Sequence, residues 1–206
     1  MNTVNRVIAL VFVSILGISQ NVQGKAVDAP HQATSPTEQE VARYKVTEQV
    51  SGKTGYQARL KDGNVTAMFF GQTVIGVTEA NHGGKKAVTN IFSEPVVVEE
   101  TYDKSPYHLK HGETARGKIS TIQKEDGKIL HTAEAVVTAS FVGGLKILTH
   151  DISYGDENRT KETLVEIYRG SSGLPMRSVW VKTVGGIATF RMNFIQLDEN
   201  NNEMSE

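Results

Sequence analysis

Apolar and polar side chains alternate on both sides of Gly185-Gly186 over residues 174–197, and this period of two predicts one long antiparallel hairpin. A type I′ turn needs positive φ at both central residues, which glycine adopts without steric cost. Counted outward from the turn, Val184 faces Ile187, Val181 faces Phe190, Val179 faces Met192 and Arg177 faces Phe194. The other face pairs Lys182 with Thr189, Trp180 with Arg191 and Ser178 with Asn193. The apolar face is the one expected to be buried.

Other turns punctuate the chain in the same way. Around Asp62-Gly63, Leu60, Ala58 and Tyr56 oppose Val65, Ala67 and Phe69, with Arg59 and Gln57 opposite Thr66 and Met68 on the second face. Short strands are expected over residues 73–77, 86–92, 96–102 and 164–168, and another pair leads into and out of Asp126-Gly127. Around Gly143-Gly144 the hairpin of residues 135–152 sets His150 opposite Val137 and has no strongly polar face, so it is either covered on both sides or lines an interior. Residues 103–116 read as a long loop. Ser35-Pro36-Thr37-Glu38 carries a helix-start signature and predicts a short helix over residues 36–42. After it, Tyr44, Val46 and Val50 fit a strand, while Val41 and Tyr44 also fit an extension of the helix.

These elements add up to an all-β domain over residues 35–197: about ten strands in an antiparallel meander, forming a barrel or half-barrel, with one short N-terminal helix. Residues 198–206 read as a disordered polar tail. At the other end, Arg6 precedes an uncharged run over residues 7–18 and a small-residue stretch ending at Gly24, the pattern of a signal peptide over residues 1–24. Cleavage after Ala26 or Ala29 would also leave a small residue at the junction. Residues 25–34 then form a flexible leader.

Composition narrows the setting. The chain has 206 residues and no cysteine, so it is no disulfide scaffold and has no mature cysteine to acylate. Export together with that absence points to a periplasmic or secreted protein of a bacterial envelope. The formal charge of −1 offers no basic excess for nucleic acid.

Candidate chemistry is sparse. His108, His111 and Glu113 have metal-like spacing, but without a helix to align them they read as a solvated loop, and no metal or cofactor is expected. Glu94, Glu99, Glu100 and Asp103 read as a charged strand edge that discourages strand addition. Without cysteine or a nucleophile elbow, no catalytic residue is nominated. The hairpin of small residues is the best candidate lining: Ala135, Val137, Ala139, Phe141, Leu148 and Ile152 would contact an apolar ligand, and His150 or Lys146 would hold its polar group. Alternatively, large residues from elsewhere fill that space.

The run Tyr168-Arg169-Gly170-Ser171-Ser172-Gly173-Leu174-Pro175-Met176-Arg177, followed by two amphipathic strands, resembles the C-terminal part of LolA-like periplasmic lipoprotein carriers. That resemblance implies a curved antiparallel sheet around a cavity for acyl chains. The expected function is therefore a soluble carrier of an apolar or amphipathic small molecule of the lipid class. The alternative is an envelope module that recruits a protein partner through an edge strand over residues 96–102.

Overall fold

The computed structural model describes residues 39–204. Twelve strands run in chain order: β1 (Glu40–Glu48), β2 (Thr54–Asp62), β3 (Val65–Phe70), β4 (Thr73–Asn81), β5 (Lys86–Ile91), β6 (Val96–Tyr102), β7 (Thr114–Gln123), β8 (Ile129–Val142), β9 (Leu145–Ser153), β10 (Lys161–Arg169), β11 (Arg177–Val184) and β12 (Ile187–Leu197). Each pairs antiparallel with its sequence neighbours, and β1 also pairs with β12, which closes the sheet into a barrel. Of barrel and half-barrel, the barrel forms.

Closure has an immediate consequence for β6. It is hydrogen-bonded to β5 on one side and β7 on the other, so the edge strand proposed for partner recruitment does not exist. The expected helix over residues 36–42 lies partly outside the described residues; of its described part, Gln39 has no regular structure and Glu40 to Ala42 are the start of β1. Glu40, Val41 and Ala42 pair with Lys61, Leu60 and Arg59, and those ladder bonds outweigh the local helix signal. The tail also differs from expectation as far as Met204. The Asp198 carboxylate accepts from the backbone N–H groups of Asn200 and Asn202, Glu203 forms a bridge with Leu197, and Lys45 sits 2.7 Å from the Glu203 carboxylate. The signal peptide and leader lie outside the described residues.

Both Gly-Gly turns form as expected, with φ of 58° and 82° at Gly143 and Gly144 and 60° and 84° at Gly185 and Gly186. Around Gly143-Gly144 the register is the predicted one, with Val137 opposite His150 and Ala139 opposite Leu148. Around Gly185-Gly186 only the first pair survives. A bulge at Lys182/Thr183 moves Phe190 opposite Lys182, Met192 opposite Trp180 and Phe194 opposite Ser178. Phe190, Met192 and Phe194 still face inward, but their partners are Ser178, Trp180 and Lys182, all buried, while Val179 and Val181 turn outward. In β2 and β3 the turn shifts by one position, pairing Asp62 with Val65 and Arg59 with Met68. Here the polar face goes in: Gln57 and Met68 are buried, and Tyr56 on the supposed core face is 62% exposed.

Two loops fold into the end of the barrel that also carries both described termini. Between β10 and β11, Leu174 packs with Tyr44, Trp180 and Phe194, and the Tyr44 hydroxyl donates to the Pro175 carbonyl at 2.7 Å. Between β6 and β7, Leu109 joins a second cluster with Tyr102, Ala135, Ala139, Leu148 and Tyr168. Gly117 is what allows Tyr102 to lie flat there, because a Cβ at that position would stand 2.5 Å from its ring and 2.3 Å from the Thr101 carbonyl.

Candidate functional site

The inward faces of the strands form two unlike walls. On β1 and β8–β12 the inward residues are closely packed: Tyr44, Val137, Ala139 and Leu148 have no accessible surface. On β2–β6 the inward row of Arg59, Thr66, Thr78, Ala87, Thr89 and Glu100 is only half-buried. Their inward direction follows from the ladder, where Arg59 pairs with Met68, Thr66 with Thr78, Thr78 with Thr89 and Ala87 with Glu100. A residue that faces the barrel axis and keeps accessible surface borders space that solvent reaches. Threonine and alanine side chains make that space, with Thr78 and Thr89 bonded to each other at 2.9 Å.

Titratable groups converge at this lumen. His150 and Glu166 lie diagonally across β9 and β10, with Nε2 and Oε2 3.2 Å apart, and the Tyr168 hydroxyl donates to the same oxygen at 2.9 Å. Burial pulls the His150 pKa down, but the bond to Glu166 and the charges of Glu166 and Glu100 outweigh it, so the net shift is upward. Burial pushes Glu166 up, and here His150, Tyr168 and the Arg59 charge reverse it, leaving the carboxyl below its usual range. The two shifts agree on an imidazolium–carboxylate pair. Across the lumen Tyr102 donates to Glu100 at 3.0 Å, and burial, reinforced by the Glu166 charge, raises the Glu100 pKa. Burial also raises the phenol pKa of Tyr44, Tyr102 and Tyr168, so all three are neutral donors.

Arg59 completes the site from β2. Its Nε donates to Gln57 Oε1 at 3.0 Å, and its guanidinium lies 4.9 Å from the Tyr44 ring centre and 5.1 Å from that of Phe194. Tyr107, on the loop before β7, meets Tyr168 edge-on at 6.5 Å while remaining 46% exposed. Nearer the opposite end, Glu162 accepts from Trp180 Nε1 at 3.1 Å and faces Lys182 at 3.4 Å, in fully packed surroundings. A separate outer recess of about 580 Å³ beside the β9–β10 loop mixes Lys118, Arg159 and Lys161 with Glu134 and Asp156.

The nominated lining is placed differently from these open positions. Ala135, Val137, Ala139 and Leu148 point inward but are sealed by Tyr102, Leu109 and Tyr168, so large residues fill the space the small ones leave. Ile152 is partly buried on the same cluster, and Phe141, at the strand end, is 45% exposed. His150 alone of these seven reaches the titratable cluster. Glu100, read as part of a charged edge, faces the lumen, while Glu99 pairs outward with Lys86 at 2.7 Å. In the loop, His111 Nδ1 accepts from the Phe141 N–H and Glu113 accepts from the Lys110 N–H, so these groups are spent on holding the backbone. Trp180 faces inward opposite Met192, away from Arg191. No family model, curated protein or solved structure matches the chain. The site therefore rests on its own geometry.

Proposed function

We propose that the protein binds or carries a small amphipathic molecule of the lipid class, seated in the lumen against the wall of β2–β6. The observation that carries this reading is the half-accessible inward row of Thr66, Thr78, Ala87, Thr89 and Glu100 beside the buried His150–Glu166–Tyr168 group. It combines small, partly apolar walls with a few convergent polar groups, the usual division of labour in a ligand site. No helix among the described residues is long and apolar enough to cross a membrane. The outer face carries exposed Arg43, Lys118, Asp151 and Arg191, which would be costly against lipid. Together with the export pattern of residues 1–24, these charges favour a carrier working in the envelope or outside the cell.

The test is a substitution on the open wall. Nile red, a neutral fluorophore, should bind the wild type saturably. Ala87→Trp should weaken that binding at least about tenfold, or ~1.4 kcal/mol, with an unchanged β-type circular dichroism spectrum. Absence of saturable binding, or full binding by the tryptophan variant, would overturn the reading.

A further inference from the structure

We propose that the ligand is a single-tailed oxyanion, a carboxylate or phosphate on an apolar chain, and that Arg59 binds its head. The inference rests on the lumenal binding site above and names its ligand class. Arg59 is half-buried, faces the lumen and has no ion-pair partner among the described residues. A partly desolvated guanidinium without a direct ion pair is an unfavourable arrangement that an incoming anion would relieve.

The nearby carboxylates are already engaged. Glu166 is held by His150 and Tyr168, and Glu100 accepts from Tyr102. Glu40, one strand away, accepts from the Gly173 N–H and the Ser172 hydroxyl. His150 and Glu166 neutralise each other, which leaves Arg59 as a lumenal guanidinium without an ion pair of its own among the described residues.

Its donors are directed as well as charged. Nε is committed to Gln57, and the rings of Tyr44 and Phe194 support the guanidinium, which restricts its rotamers, while its terminal nitrogens make no hydrogen bond among the described residues. A planar fork held in this way matches the two oxygens of a carboxylate or phosphate. The half-open row of Thr66, Thr78, Ala87 and Thr89 on the neighbouring strands then offers the tail its path.

Dodecanoate, dodecyl phosphate and dodecanol share one tail and differ in the head. Each would be used below its micelle concentration or, for dodecanol, its solubility limit, to displace Nile red. With wild type, either or both anions should displace the probe at concentrations at least about tenfold below dodecanol, and their relative order identifies the preferred head. Arg59→Gln should abolish the advantage while leaving dodecanol unchanged. Arg59→Lys, which keeps the charge without the fork, should retain only part of it. Equal displacement by all three in the wild type, or an advantage that survives in Arg59→Gln, overturns the oxyanion assignment while the carrier reading stands. The wild-type comparison needs no variant to fold. Failure of the protein to bind Nile red or any of the three would overturn both readings.

Discussion

His150 and Glu100 make the barrel's stability depend on pH in the same direction. His150 has a raised pKa in the fold, so its stabilisation is complete below the ordinary value of 6.5 and is lost as pH rises through the folded value. Glu100, also raised, favours the neutral form, and its contribution likewise fades with rising pH. Glu166 is lowered; its contribution is present above the ordinary 4.5 and disappears only as pH falls through the depressed value. The urea midpoint should therefore decline as pH rises above about 6.5, the ordinary imidazole value. His150→Gln should cost about 3–5 kcal/mol near pH 6, because it leaves a buried carboxylate unpaired, and should flatten the alkaline decline. A wild-type midpoint that is constant over this range would mean that the pair is not ionised.

At the scale of elements, β11 separates what alternation can show from what it cannot. Trp180 is buried edge-on to Phe190 at 4.7 Å, while Val181 points out, so Trp180→Ala should cost about 3–5 kcal/mol and Val181→Ala about 1 kcal/mol or less in urea unfolding. The reverse order would restore the bulge-free register. Turn chemistry made the hairpins legible: glycine pairs at 143–144 and 185–186 mark their own positions. The bulge at Lys182/Thr183 left no such mark. Nor does a period of two say which face is inside, and in β2 and β10 the face with Arg59 or with Glu162 and Glu166 turns inward against an aliphatic alternative. The usual rule of apolar inside assumes a dry core. This barrel turns Arg59, Glu100, His150 and Glu166 inward, so its site-forming residues look like surface ones in the sequence. His150 was within reach because its register followed from a turn, whereas Glu100 and Arg59 required the closed sheet.

At the scale of the whole molecule, eleven of the twelve ladders join strands adjacent in sequence, and only β1 with β12 spans the chain. Hairpins can form one after another from local contacts, which favours rapid assembly. On this connectivity the circle is expected to be sealed last, when the first strand meets the final one. Joining the start of β1 to the end of β12 by a short linker and reopening the chain at Gly143-Gly144 should give the same barrel, with the β8–β9 pairing now the late step. Stopped-flow folding would show this as a transfer of the slow phase's sensitivity from substitutions in the β1–β12 ladder to substitutions in the β8–β9 ladder. If that sensitivity stayed with β1 and β12, closure would not be the event that limits folding. Because the last seam is set by connectivity rather than by the ring itself, the order of assembly can be rewritten without altering the architecture.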